Sequence, residues 1–184
     1  MKGFFMKWKL SVGVSTLAMV FVLLPLFAQD EAVEGLIQLA DPLDEPEFYC
    51  VDVPGFGASL DVDAPLSAHT CKPGADDELF SFNTPNEGQF HMDAYDLCMQ
   101  AESATAGASA ILNECSDEPL QQFNITGLGQ IQLGVDSNLC LAVAAGEGIP
   151  TGGPSHLRRG LSIENCDEID VSLTVWHIGV GTPE

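Results

Sequence analysis

Hydrophobic residues recur at alternate positions in short runs, and one kind of run occurs three times along the chain. Each of these runs ends in a cysteine: Leu66-x-Ala68-x-x-Cys71, Ala110-x-Leu112-x-x-Cys115 and Leu161-x-Ile163-x-x-Cys166. Alternation with a period of two residues is typical of a β-strand that has one buried face. We therefore expect Leu66, Leu112 and Leu161 to point into one core.

Other strand signals accompany each run in a fixed order. A first cysteine precedes each run (Cys50, Cys98, Cys140), and an aromatic residue follows each second cysteine (Phe80, Phe123, Trp176). The first two units add Gly88–Met92 and Gly129–Leu133. A unit that recurs every 40 to 50 residues or so indicates one supersecondary motif used three times. The aromatic residues should also be buried.

These signals predict an all-β fold. No stretch has hydrophobic residues at the spacing of an amphipathic helix. The alanine-rich segment Ala101–Ala110 contains Gly107, which favours a loop and a strand. Four strands in each of three lobes, at about 47–92, 93–134 and 135–184, give twelve strands. Closing them with threefold pseudo-symmetry would remove exposed sheet edges and bury one shared core.

The first 46 residues differ in character from the rest. Residues 1–28 have a basic head, an apolar stretch to Phe27 and a small residue, Ala28, which together predict a cleaved secretory signal. An uncleaved membrane anchor is the alternative, because the apolar stretch is long. Residues 29–46 are acidic and contain two prolines, so we interpret them as a partly ordered leader.

Charge excludes several classes of partner. Removing residues 1–28 leaves only Lys72, Arg158 and Arg159 against 27 acidic residues, a formal charge of −24. This field repels phosphate backbones and anionic lipids, so we expect neither nucleic acid nor an acidic membrane as a partner. The acids are scattered and not arranged as a calcium loop, which favours solubility as their role.

The cysteines of an exported chain should be oxidised. Six cysteines allow fifteen pairings, but equivalent lobes favour the local pairs Cys50–Cys71, Cys98–Cys115 and Cys140–Cys166.

The repeats resemble those of ricin-B-type lectins. The resemblance is carried by Cys50-Val51-Asp52-Val53, the apolar run into Cys71 and Asp77-Glu78-Leu79-Phe80, and by the ends of the later lobes, Gln121-Gln122-Phe123 and Thr174-Val175-Trp176. It extends from Glu47 to about Val180. The family fold is the β-trefoil, in agreement with the strand count, and the family binds sugars.

The resemblance also implies a sugar pocket in the first lobe. There the family positions correspond to Asp52, His69 and Asp77, with Ser67 on the same strand face as His69. A carboxylate accepts hydrogen bonds from sugar hydroxyls, and a ring stacks on the sugar face. His69 replaces a larger aromatic group, for which Phe56 is a possible substitute. The alternative is that Asp52 only caps a turn.

The later lobes offer poorer sites. Lobe two has the amides Gln100, Asn113 and Gln121 but no ring, and lobe three has Ala142 and Glu164 in place of the acid set. We interpret lobe three as structural, because its long insertion, Ala144–His156, holds no obvious ligand set.

No pattern indicates catalysis or a metal site. The histidines lack zinc spacing, no Gly-x-Ser-x-Gly motif occurs, and the carboxylate pairs at 61–63 and 167–170 are in turn-like polar segments. We therefore expect a secreted, monomeric, non-enzymatic carbohydrate-binding module without a cofactor. The alternative is a secreted β-trefoil that has lost sugar binding and acts by protein contact, as a toxin-associated subunit, an inhibitor or a surface partner.

Overall fold

The structure, a computed structural model, describes residues 34–152 and 156–181. The described chain is almost entirely strand and turn, which confirms the all-β prediction, and it contains three short 3-10 segments at 57–59, 119–121 and 171–173. The strands are β1 (Glu34–Leu39), β2 (Tyr49–Asp52), β3 (Ser67–Thr70), β4 (Leu79–Phe82), β5 (Phe90–Met92), β6 (Leu97–Ala101), β7 (Ala108–Asn113), β8 (Phe123–Ile125), β9 (Ile131–Leu133), β10 (Asp136–Val143), β11 (Ile149–Pro150), β12 (Leu157–Asn165) and β13 (Trp176–Val180).

Six strands form a closed ring. Antiparallel pairing joins β13 to β1, β1 to β4, β4 to β5 and β8 to β9. Two backbone links complete the circuit: Phe123 N donates to Gly88 O between β8 and the start of β5, and Gln130 bridges Val175 between β9 and β13. Because every ring strand has two neighbours, the ring leaves no open edge.

Three antiparallel hairpins extend from this ring. The first hairpin is β2–β3, the second is β6–β7 and the third is β10–β12. Strand β12 also pairs with both β3 and β7, and Leu66 N donates to Ala110 O at 2.8 Å, so the three hairpins contact one another. The first and third hairpins are therefore held side by side, which matters for the site described below.

The core lies where the alternation predicted it. Leu66, Leu112 and Leu161 are at most 8% exposed, and the aromatic residues Phe80, Phe123 and Trp176 are at most 2% exposed. All six belong to one hydrophobic cluster. The alanine-rich segment is a turn followed by β7, whose inward residues Ala108, Ala110 and Leu112 alternate with more exposed ones. The predicted core positions and the interpretation of Ala101–Ala110 as a loop and a strand are therefore both confirmed.

The interpretation of residues 29–46 as a partly ordered leader is wrong from Glu34 onward. Residues Glu34–Leu39 form β1, whose Leu36, Ile37 and Leu39 are buried. This strand pairs with β2, β4 and β13, and the ring could not close without it. The folded domain therefore begins at or before Glu34 and not at Glu47.

Two acids that follow β1 are also structural. Asp44 accepts hydrogen bonds from Tyr49 Oη at 2.8 Å and from Gly148 N at 2.7 Å, and it pairs with Arg159 Nη2 at 2.5 Å. Desolvation of Asp44 opposes ionisation, but these donors outweigh it and hold the pKa of Asp44 below its usual range. Glu45 is buried and accepts from Thr70 Oγ1 at 2.8 Å. Composition had suggested a solvated segment, but these carboxylates bind specific donors.

The disulfide predictions are confirmed for two pairs. Cys50 is bonded to Cys71, and Cys98 is bonded to Cys115. The predicted Cys140–Cys166 bridge is wrong, because both residues carry free thiols. The Cys166 Sγ lies 3.9 Å from Ser137 O. Burial, and then the hydrogen bond and charge of the neighbouring Cys166, raise the pKa of the Cys140 thiol.

The predicted signal, residues 1–28, lies outside the described residues, as do residues 29–33 of the leader. Within the described ranges, no helix is long and apolar enough to cross a membrane.

Candidate functional site

A pocket of about 480 Å³ opens beside the first hairpin. Its floor and one wall come from β2, β3 and the turn after β2, and the opposite wall comes from the connection within the third hairpin. The lining residues are Asp52, Pro54, Gly55, Phe56, His69, Lys72, Thr151, Gly152, His156 and Arg158. The pairing of β3 with β12 brings these two walls together.

Asp52 ends β2 at the floor of the pocket, and its side chain is only 3% exposed. Lys72 Nζ lies 2.9 Å from Asp52 Oδ1 and 2.6 Å from Asp77 Oδ2. Asp52 Oδ2 accepts a longer hydrogen bond, 3.4 Å, from Ser67 Oγ. The structure thus brings Asp52, Ser67 and Asp77 together, with Lys72 between the two carboxylates.

His69 lies two positions further along β3 than Ser67, which pairs with Asp52, and it stands opposite Cys50. Its Nδ1 is 3.1 Å from Thr70 O, and its Nε2 is 2.9 Å from Thr151 Oγ1. Because a carbonyl oxygen can only accept, Nδ1 carries the hydrogen in this arrangement. The His69 ring is therefore fixed in the pocket wall by partners on both sides.

Glu78, which sequence analysis did not single out, lies directly beneath this cluster. It is fully buried, its Oε2 accepts from Lys72 N at 2.6 Å, and its Oε1 is 3.4 Å from Lys72 Nζ without a hydrogen bond. Gln121 occupies the same place beside the second hairpin: it is fully buried and accepts from Ser116 N at 2.9 Å. Both residues precede a core aromatic by two positions, so Glu78 and not Asp77 corresponds to Gln121.

Burial and the neighbouring charges shift the pKa values of the residues in this cluster. Burial raises the pKa of Asp52, and the hydrogen bond and charge of Lys72 offset part of this effect. Burial likewise raises the pKa of Glu78 to about 8, because the hydrogen bond and charge of Lys72 offset only part of the effect of burial. Burial disfavours the Lys72 ammonium, but its hydrogen bonds to Asp77 and Asp52 outweigh this and raise the pKa of Lys72. Near neutral pH the cluster therefore contains a charged Lys72 and a largely protonated Glu78.

Donor atoms of Asp52, His69 and Glu78 lie within 4.8 Å of one another, a spacing that could hold a metal ion. Lys72 Nζ lies 2.9 Å from Asp52 and 3.4 Å from Glu78. The ammonium thus supplies the positive charge that this group of acids requires.

The second hairpin gathers the amides that the sequence suggested. Gln100 Oε1 accepts from Asn113 Nδ2 at 3.3 Å and from Gln121 Nε2 at 3.0 Å. Gln121 Oε1 also accepts from Gln89 Nε2 at 3.2 Å. These amides satisfy one another, so they form a structural network with little capacity left for a ligand.

The third hairpin has no acid opposite its serine, because Ala142 pairs with Ser162 where Asp52 pairs with Ser67. Its insertion, which sequence analysis regarded as structural, nevertheless supplies Thr151 and His156 to the pocket of the first hairpin.

The ricin-type beta-trefoil lectin domain, as a sequence family, matches residues 45–170. The chain belongs to this family. The match spans more than half of the chain and includes all six cysteines. Family membership supports a carbohydrate-binding function.

Solved structures of other ricin-type and toxin chains have a similar fold. The C-terminal half of an earthworm R-type lectin, solved in complex with GalNAc, is 11% identical, with a TM-score of 0.52 over 78% of this chain and 95% of that one. A cytolethal distending toxin of Haemophilus ducreyi is 12% identical, with a TM-score of 0.55 over 81% and 84%. That of Actinobacillus actinomycetemcomitans is also 12% identical, with a TM-score of 0.53 over 81% and 92%. No curated protein matches this chain in sequence.

Sequence analysis of the lectin repeats missed Lys72, Glu78, Thr151, His156 and Arg158. A signal existed for Lys72, since it is the only lysine after residue 9 and directly follows a paired cysteine. A signal existed for Glu78 in its alignment with Gln121. Thr151, His156 and Arg158 belong to a different repeat, and only the pairing of β3 with β12 brings them to the site.

Proposed function

We propose that this chain is a secreted, non-enzymatic carbohydrate-binding module whose glycan site is the pocket beside the first hairpin. The observation that carries the proposal is that Asp52 and His69, two of the four residues predicted as the sugar site, line the same pocket of about 480 Å³, whereas Ser67 and Asp77 lie behind Asp52 and outside the lining. That volume is in the range of small-ligand sites.

The pocket contains the two kinds of surface that sugar recognition needs. Asp52 and Lys72 at the floor offer an acceptor and a donor for vicinal hydroxyls, and Thr151 adds a hydroxyl on the opposite wall. Phe56 lies in the pocket lining and is 89% exposed, so its ring is free to stack on the apolar face of a pyranose. We assign Phe56 the platform role that His69, fixed in the wall, fills only in part.

The wider organisation belongs to the same proposal. The strands would form three four-stranded lobes, β1–β4, β5–β8 and β9 with β10, β12 and β13, with β11 as an addition to the third lobe. Each lobe then begins one strand earlier than the sequence-based bounds, which placed β5 in the first lobe and β9 in the second. The matching cysteine registers support this arrangement. In each hairpin the first cysteine pairs with the residue two positions before the second cysteine: Cys50 with His69, Cys98 with Asn113 and Cys140 with Glu164. A monomer exported by residues 1–28, with no nucleic-acid or anionic-membrane partner, is the form that we propose.

Asp52→Asn tests the site directly. The substitution keeps the shape but removes the charge that accepts hydroxyl hydrogen bonds and orients Lys72, so we expect affinity for a bound glycan to fall about tenfold or more. Binding would be measured by calorimetry after a glycan panel has identified a ligand. Gln100→Ala, at the matching position of the second hairpin, is the control and should leave affinity unchanged. If Asp52→Asn and the wild type bind the glycan with equal affinity, this pocket is not the glycan site.

A second candidate function is protein contact without sugar binding. The observation that favours it is the 3% exposure of the Asp52 side chain and its ion pair with Lys72, which compete with a sugar hydroxyl. The similar cytolethal distending toxin structures give a precedent for the fold in a toxin. Absence of binding across a broad glycan panel by a correctly folded wild type would favour this function.

A further inference from the structure

The basic side chains of this acidic domain are concentrated at one place. After residue 28 the chain has three lysine and arginine residues and four histidines against 27 acids. Lys72, Arg158, His69 and His156 all line the pocket beside the first hairpin. The remaining arginine, Arg159, is buried and serves the fold through Asp44 and the face of Tyr49. If these few basic residues were spread evenly over the domain, four of them would not line one pocket.

Arg158 is the free cation of this group. It is exposed, and among the described residues it forms no ion pair, whereas Lys72 is bonded to Asp52 and Asp77. It stands directly opposite His69 in the pairing of β12 with β3, so both side chains leave the sheet on the same face. In a domain with this excess of acids, an unpaired guanidinium at a pocket is available for an anionic ligand.

The two histidines extend this basic wall. The rings of His69 and His156 lie with their centroids 5.7 Å apart, and His69 Nε2 is bonded to Thr151 Oγ1. The upper part of the pocket therefore presents guanidinium, imidazole and hydroxyl groups. The acceptor that the family resemblance supplies, Asp52, lies at the floor and already accepts from Lys72 and Ser67.

We propose that the preferred ligand of this pocket is an acidic glycan, with a carboxylate or sulfate group held by Arg158 beside His69 and His156. A guanidinium binds either oxyanion through two parallel hydrogen bonds, which a neutral sugar hydroxyl cannot reproduce. The strongly negative surface field would repel polyanions in general, so recognition depends on this local cluster and not on overall charge. This inference rests on the proposed glycan-binding function and names its ligand class.

The test compares matched pairs of oligosaccharides that differ only in an acidic group: the methyl ester of 3′-sialyllactose with 3′-sialyllactose, lactose with a sulfated lactose, and a glucose-ended with a glucuronate-ended disaccharide. Calorimetry or protein-observed NMR on the full domain would give each ratio of affinities. We expect at least one acidic member to bind about tenfold or more tightly than its neutral partner. Arg158→Gln should bring that ratio close to one. Arg158→Lys should give an intermediate ratio, because lysine keeps the positive charge but cannot form the two parallel hydrogen bonds of a guanidinium.

Asn124→Asp is the matched control. Asn124 is exposed on β8, away from the pocket lining, and its replacement changes the net charge by the same single unit as Arg158→Gln. It should leave the ratio of acidic to neutral affinity unchanged. Circular dichroism would establish that each variant is folded.

Each other outcome has a distinct meaning. Equal binding of neutral and acidic partners would overturn this inference and leave the glycan-binding proposal standing. An acidic preference that Arg158→Gln does not alter would overturn the assignment to this cluster. Failure of every neutral and acidic glycan to bind the folded wild type would overturn the proposed function, and this inference with it.

Discussion

Glu78 and Gln121 occupy matching places but carry different side chains. Each is fully buried two residues before a core aromatic, and each accepts a hydrogen bond from the backbone N–H that follows a disulfide-bonded cysteine. Gln121 has an amide whose Nε2 donates to Gln100 Oε1 and Glu114 O. A protonated Glu78 has the same capacity to accept with one oxygen and donate with the other. Burial at this position raises the pKa of Glu78.

Glu78→Gln should reduce the pH dependence of stability. The pKa of Glu78 rises from 4.5 to about 8 on folding, so the folded state binds this proton more tightly than the unfolded state. Its contribution is fully present below pH 4.5 and is lost as the pH rises to about 8. Urea melts at pH 5 and pH 8 should show that Glu78→Gln gains stability relative to the wild type at pH 8. An equal difference at both pH values would contradict this account.

Gln121→Glu is the reciprocal variant. Its carboxylate would face two acceptors, Gln100 Oε1 and Glu114 O. Lys72, the one lysine among the described residues, binds Asp52 and Asp77 instead. We expect a loss of about 2 kcal/mol in the free energy of unfolding at pH 7, since a buried group loses its donors and gains charge. Acidification to pH 4 should recover part of this loss. A melt indistinguishable from the wild type at pH 7 would show that the two positions are not equivalent.

At the scale of elements, the start of the domain shows what the sequence could have revealed. Gly35-Leu36-Ile37-Gln38-Leu39 has the same pattern as Gly129-Gln130-Ile131-Gln132-Leu133. Both glycines lie where a Cβ would come within 2.7 Å of the backbone of β13 or of the residues beside it. The sequence therefore contains the repeat that identifies β1, but the surrounding acids and prolines suggested a leader. Composition over the eighteen residues 29–46 concealed a six-residue strand.

Ile37→Ala measures the importance of β1. Ile37 is fully buried in the hydrophobic core, so its truncation should cost about 2 to 5 kcal/mol of unfolding free energy. Ile149, which is 59% exposed on β11, provides the matched control, and Ile149→Ala should change stability by no more than about 0.5 kcal/mol. Chemical denaturation would give both values. Equal small effects would restore the interpretation of this segment as a leader.

At the scale of the whole molecule, periodicity and repeats were sufficient to predict the all-β fold, the six core positions and two disulfides. The family resemblance also selected Asp52 and His69, which lie on one hairpin. The other wall of the pocket was beyond that reasoning. Thr151, His156 and Arg158 reach Asp52 only because β12 pairs with β3 across two repeats, a long-range contact that no local pattern encodes. An analysis of one repeat at a time therefore left lobe three as structural.

The most direct test of this account is chemical-shift mapping of the 15N-labelled domain during titration with neutral and acidic oligosaccharides. We predict that the perturbed amides cluster at Asp52, His69 and Lys72 on one wall and at Thr151 and Arg158 on the other. Amides of Gln100, Asn113 and Ala142 in the second and third hairpins should not move. Perturbations confined to those hairpins, or none with any glycan, would contradict the assignment of the first-hairpin pocket as the glycan site.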